Sequence, residues 1–164
     1  MENDLASLGP SDNMGKEIEY KFLVNQHLWD ALPKPEPKLI LQSFLQNEVE
    51  RIVRVRVKGD QGFLTIKGAT KGVSRVEFEY EIPAKDAEEM ISVFQLPHIR
   101  KKRYEIVVGQ HVWEVDVFEG PLEGLVLAEI EVSKEGETFT KPDWVAEDVS
   151  TDPGYYNAVL IGKC

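Results

Sequence analysis

From Lys16 onward the chain alternates apolar and charged residues with a period of two, and its charged faces are sorted by sign. That period belongs to a strand, whose successive side chains point to opposite sides. Glu17, Glu19 and Lys21 fall on one face, with Ile18, Tyr20 and Phe22 on the other. Arg54, Arg56 and Lys58 oppose Val53, Val55 and Val57, and Lys67 with Thr65 opposes Leu64 and Ile66. Arg75, Glu77, Glu79 and Glu81 oppose Val76, Phe78 and Tyr80. Lys101, Arg103 and Glu105 lie opposite Tyr104 and Ile106. Glu114 and Asp116 oppose Trp113, Val115 and Val117, and Glu129 and Glu131 oppose Ala128, Ile130 and Val132.

The pattern predicts eight strands, over 16–24, 38–46, 50–58, 62–68, 72–82, 99–107, 112–118 and 124–133. The breaks carry turn chemistry at Gly59-Asp60-Gln61-Gly62, Ala69-Thr70-Lys71-Gly72, Gly109-Gln110 and Glu119-Gly120-Pro121. Links this short join antiparallel neighbours. Two helices are expected. Asn25 caps a short one that runs to Leu32 and ends at Pro33, Pro35 and Pro37. The second covers 84–96 behind Pro83, with Ala87, Met90, Ile91 and Phe94 on one stripe. A helical turn or two is expected within 142–164.

Charge runs on strands are usually solvated outer faces, but such faces mix signs and neutral polar residues. Here Arg54, Arg56 and Lys58 are purely basic, while Glu114 with Asp116 and Glu129 with Glu131 are purely acidic. Like charges two residues apart repel modestly and call for compensation. A closed barrel with a charged lumen supplies it. Acidic strands hold a hard cation through carboxylate oxygens, and basic strands hold the phosphate oxygens that the cation bridges. The apolar faces then point outward, where helices cover them. The expected class is therefore mainly β (α+β): an eight-stranded antiparallel β-barrel forming a tunnel, with a few helices packed outside. The formal net charge of −10 sets the exterior against nucleic acid and anionic membranes. A polyanion is admitted only where the arginines gather.

With 164 residues, the chain is sized for one domain, expected at 16–164. Residues 1–15 are polar, lack the apolar stretch of a secretory signal and read as a disordered leader. No apolar run is long enough to span a bilayer as a helix. The single cysteine, Cys164, allows no internal disulfide, which favours a cytoplasmic location.

Glu17-Ile18-Glu19-Tyr20-Lys21, read as an ExExK strand, is followed by Arg54-Val55-Arg56, Leu64-Thr65-Ile66-Lys67 and Arg75-Val76-Glu77-Phe78-Glu79. Lys101-Lys102-Arg103-Tyr104, Trp113-Glu114-Val115-Asp116-Val117-Phe118, Ala128-Glu129-Ile130-Glu131 and Asp152 through Asn157 complete the series. In this order they resemble the CYTH family, the triphosphate tunnel metalloenzymes, and most closely its short bacterial members, which resemble inorganic triphosphatases. The resemblance covers nearly all of the chain after Lys16. It implies a metal-dependent enzyme that binds a linear small-molecule triphosphate with Mg²⁺ or Mn²⁺ inside the tunnel. Glu17, Glu19, Glu129, Glu131 and Asp116 would serve the metal. Arg54, Arg56, Lys67, Arg75, Lys101 and Arg103 would bind phosphate. Glu77, Glu79 and Glu114 are lumen acids that would position the basic groups or hold a second cation, a role Asp116 could share.

Lys21 matches a lysine that pairs with a tyrosine to handle the attacking water. The tyrosine position here is Phe44, in Ser43-Phe44-Leu45. Phe44 is expected to share the lumen face with Gln42 and Gln46, but it carries no hydroxyl. Tyr155 or Tyr156 is a candidate substitute. Lys21 acts as a base only if its pKa falls, which arginines favour and carboxylates oppose. Three other readings compete with inorganic triphosphate hydrolysis: a nucleotide cyclase or organic (nucleoside or thiamine) triphosphatase of the same family, a binding-only polyphosphate receptor, and an unrelated ligand-carrying barrel. An outer barrel face left bare by helices would favour a homodimer. His27, His98 and His111 are not spaced as a metal site, and Trp29, Trp113 and Trp144 suit packing outside the barrel.

Overall fold

The computed structural model describes residues 15–164; positions 1–14 of the expected leader lie outside it. The strands are β1 (Lys16–Val24), β2 (Lys38–Glu48), β3 (Arg51–Lys58), β4 (Gln61–Gly68), β5 (Ser74–Ile82), β6 (Ile99–Val108), β7 (His111–Phe118), β8 (Val126–Glu131) and β9 (Val145–Asp148). They form one antiparallel sheet in the order β5-β4-β3-β2-β6-β7-β8-β1-β9. A further pairing of β5 with β1, through Glu17 opposite Arg75, turns the first eight into a ring. The eight expected strands are all present. The addition is β9, which pairs with β1 through Phe22–Asp148 and Val24–Val145. Gly59 and Gly109 take left-handed backbone at φ 61° and 63° in the two-residue links β3–β4 and β6–β7, as tight hairpins require.

Register decides which side chains share the ring interior. Lys21 stands opposite Glu129, Arg103 opposite Asp116 and Lys67 opposite Glu77, so acid meets base at these positions of the inner wall, while Glu114 opposite Glu129 sets acid against acid. One expectation about faces changes. The β2–β3 register shifts between Phe44 and Gln46, leaving Phe44 opposite Arg54 but Gln46 opposite Val53. Such a bulge adds one residue and flips the alternation. Phe44 and Gln42 therefore face inward, while Gln46 turns away and accepts from Arg51 Nε at 3.1 Å.

The outer faces are covered unevenly. Helix α1 (Gln26–Asp30), capped by Asn25 through Leu28 N–H, inserts Trp29 against Tyr104 and Trp144. These join Ile18, Phe22, Trp113, Val115 and Ile130 in the main core. Helix α2 (Ala84–Val93) lays Ala87 and Ile91 on Val55 and Val57 of β3. It stops earlier than expected because Gln95 adopts φ 51° and Pro97 disfavours helix at the residue before it. On β5, Val76, Phe78 and Tyr80 stay about half exposed. The C-terminal segment, including α3 (Asn157–Leu160), crosses one end of the ring, where Leu160 and Ile161 pack on the inward-facing Ile99, Phe118 and Leu127. No helix among the described residues is long and apolar enough to cross a membrane.

Candidate active site

The inner faces enclose a cavity of about 240 Å³. Its walls carry Glu17, Glu19 and Lys21 from β1, Arg54, Arg56 and Lys58 from β3, and Lys67 from β4. Arg75, Glu77 and Glu79 come from β5, Lys101 and Arg103 from β6, Glu114 from β7, and Glu129 and Glu131 from β8. Phe44 also lines it, with its ring against the apolar end at Ile99 and Phe118. Of the metal-site, phosphate-binding and lumen-acid residues expected from the sequence, Asp116 alone lies behind the wall. It is fully buried, with both oxygens 2.7 Å from Arg103 and Oδ2 also 2.6 Å from Lys101 Nζ.

Most of the cavity's cations are partnered by carboxylates. Glu79 Oε2 accepts from Arg54 at 3.3 Å, Arg56 at 3.1 Å and Thr65 at 2.8 Å. Glu17 accepts from Lys67 at 2.9 Å and Arg75 at 2.8 Å. Burial opposes its charge, but these two cations prevail and hold its carboxyl at about 2. Lys67 also lies 2.7 Å from Glu77 Oε2, an ion pair without hydrogen-bond alignment. Arg103 donates to Glu114 as well, and its Nη2 is 3.5 Å from Glu129. Burial with the neighbouring Arg54 lowers Arg56 to about 10 despite Glu79.

Three carboxylates form an exception. Burial, then the neighbouring Glu129 and Glu17, raise Glu19 well above the ordinary range, whereas at Glu129 the charges of Lys21 and Arg103 outweigh burial and hold the carboxyl well below it. Glu131 rises to about 6 through burial and the charges of Glu17, Glu77 and Glu114. Among the described residues, no three acidic, histidine or cysteine side chains converge as a ready-made metal cage.

Two of the buried lysines behave differently. Burial alone would lower Lys21, but Glu129 at 3.3 Å and Glu19 raise it, so Lys21 remains an ammonium. Lys101 is lowered to about 8, because burial and Arg103 outweigh the attraction of Asp116. Both reach the C-terminal segment: Lys21 Nζ donates to Tyr155 O at 3.2 Å, and Lys101 Nζ to Asn157 Oδ1 at 3.2 Å. That segment adds Ser150, Tyr156 and Asn157 to the cavity wall. Sequence reasoning assigned no role to Ser150 or Asn157; they sit on no alternating strand, and only the Pro153-Gly154 turn hints that the tail doubles back. Of the two tyrosines, Tyr156 lines the cavity, with its ring centroid 5.9 Å from Lys21 Nζ and its hydroxyl donating to Ser150 O at 3.1 Å. Tyr155 packs into the apolar end.

A ring interior of paired acids and bases around one small cavity is the feature by which this chain meets known proteins. The family profile of the CYTH domain matches residues 15–158. The chain belongs to the CYTH family. Its relatives include an inorganic triphosphatase of Acetivibrio thermocellus, 44% identical over 149 residues, covering 90% of this chain and 94% of that protein. An inorganic triphosphatase of Nitrosomonas europaea is 33% identical over 151 residues, covering 88% and 95%. Among solved structures, the crystal structure of an inorganic triphosphatase matches with a TM-score of 0.61 at 29% identity, covering 88% of this chain and 93% of that one. CYTH triphosphatases are in general metal-dependent.

Proposed function

We propose that this CYTH protein hydrolyses inorganic triphosphate to pyrophosphate and phosphate in its ring lumen, with Mg²⁺ or Mn²⁺. The observation that carries the reading is the convergence of eight cationic side chains and seven carboxylates on one cavity. Arg54, Arg56, Lys67, Arg75, Lys101 and Arg103 are the phosphate ligands. Glu79, Glu17 and Glu114 hold several of these cations in place until phosphate oxygens replace the carboxylates. Asp116 acts from behind the wall by orienting Lys101 and Arg103.

Glu19, Glu129 and Glu131 fit a hard cation. They offer only oxygen ligands, and a divalent ion would relieve the carboxylate repulsion that adds to burial in raising Glu19 and Glu131. Two or three carboxylates with phosphate oxygens and water complete a Mg²⁺ shell. The ion would neutralise charge that develops on the phosphates. Glu17, bound to Lys67 and Arg75, serves the metal at most indirectly. Water attacks the terminal phosphorus, the bond to the bridging oxygen breaks, pyrophosphate leaves with that oxygen, and the proton lost by the water passes to a phosphate oxygen or to solvent. The raised pKa of Lys21 argues against a base and for an ammonium that anchors the attack.

The acidic exterior supports a small-molecule partner rather than nucleic acid or an anionic membrane, and the single terminal cysteine supports a cytoplasmic setting. The half-exposed outer row of β5 supports a homodimer, for which sedimentation at a single chain's mass would be the contrary result. The function is tested by incubation with tripolyphosphate, ATP and thiamine triphosphate, each with Mg²⁺, Mn²⁺ or EDTA. The expected result is metal-dependent phosphate release, fastest from tripolyphosphate. A cyclic nucleotide from ATP would make it a cyclase. Faster release from either organic triphosphate would make it an organic triphosphatase, and binding without release a receptor.

A further inference from the structure

Gln42 is 1% exposed, yet neither its amide oxygen nor its amide nitrogen has a hydrogen-bond partner among the described residues. An unmet buried amide destabilises a fold. Departures from local consistency of this kind concentrate at functional sites. Register sets Gln42 directly opposite Arg56, with both side chains on the inner face. Residues so opposed have Cβ atoms about 5 Å apart. Arg56 Nε is itself buried without an acceptor. An orphan acceptor and an orphan donor thus stand on facing positions of two paired strands. Meanwhile the far end of the guanidinium is drawn to Glu79 Oε2 at 3.1 Å and lies 5.4 Å from the ring of Phe63.

We propose that Gln42 is a positioning residue for triphosphate, acting through Arg56. When phosphate oxygens replace Glu79 on Arg54 and Arg56, Arg56 turns and Gln42 Oε1 accepts from its Nε. The amide then fixes the guanidinium plane against the phosphate. Gln42 touches no substrate itself, because it is not part of the cavity wall. The inference rests on the triphosphate reading above and adds a residue to it. It also explains why a polar side chain is kept where an apolar one would pack without penalty.

The test uses Gln42→Met and Gln42→Leu, which keep bulk and remove the acceptor. For each, KM, kcat and melting temperature are measured with tripolyphosphate and Mg²⁺, alone and in an Arg56→Lys background. The expected result is a KM increase on the order of tenfold, as for loss of a hydrogen bond to a charged group. The melting temperature stays level or rises. In the Arg56→Lys background, which has no Nε donor, the same substitutions add little. An unchanged KM overturns the proposal, as does an equal increase in both backgrounds or a KM change that merely follows a fall in melting temperature. If the wild type binds tripolyphosphate without turnover, the hydrolytic reading fails by itself. The Gln42 comparison is then made on the calorimetric dissociation constant.

Discussion

Lys21 and Lys101 both cross the lumen to the C-terminal segment, but their charges are set by different company. Lys21 faces Glu129 and Glu19 and keeps its proton, so the contribution proposed for it is positive charge. Lys21→Ala should reduce kcat for tripolyphosphate on the order of 10²-fold, the loss typical of one preorganised donor. Intact phosphate release in that variant would remove Lys21 from the mechanism. Lys101 is buried, and Asp116 and Glu129 do not offset burial and Arg103, so its pKa falls to about 8 from the ordinary 10.5. Between these two values the unfolded chain binds the proton and the folded one does not, so stability rises with pH across that window. Phosphate binding behaves oppositely, because Lys101 loses its charge above about pH 8. The ratio kcat/KM, which reports the free enzyme, should decline above that pH, and Lys101→Met should be weaker but lack the decline. A decline of equal size in Lys101→Met would assign it to another group.

At the scale of elements, strands and hairpins were legible because alternation marks each strand and glycine marks the tight links at Gly59 and Gly109. β9 was not, because four residues, Val145–Asp148, are too few to display a period, and their pairing with β1 depends on the path of the whole tail. The bulge after Phe44 was equally hidden: no glycine marks it, and only cross-strand register places Gln46 outside. Most of the candidate site was legible for the same reason as the fold, since side chains two apart on a strand share a wall. Asp116 was misjudged as a cavity group because alternation assigns a face, whereas its depth follows from the length of Arg103 and Lys101 over it. One junction tests the packing of strands against a helix. A Cβ on Gly62 would meet Ile82 O at 2.8 Å and Pro83 O and Ala84 Cα at 2.9 Å. These are backbone atoms with little room to move, so Gly62→Ala should cost about 1–3 kcal/mol in denaturant unfolding. Unchanged stability would mean that the β5–α2 junction is looser than it is drawn.

For the whole molecule, the sign-sorted strands resolve the conflict between an acidic chain and an anionic ligand. Ring closure gathers Arg54, Arg56, Lys67, Arg75, Lys101 and Arg103 around one cavity, although the chain as a whole carries a formal net charge of −10. In the ligand-free ring carboxylates engage the lining cations, so the proposed binding is coupled: the anion would free carboxylates from arginines, and a divalent cation would take charge from the acids. Calorimetry of tripolyphosphate binding with and without Mg²⁺, combined with phosphate release under the same conditions, measures this coupling directly. The account predicts binding at least tenfold tighter with Mg²⁺ than with EDTA, and release of phosphate only when the metal is present. Equal affinity in Mg²⁺ and EDTA, or phosphate release undiminished by EDTA, would contradict it.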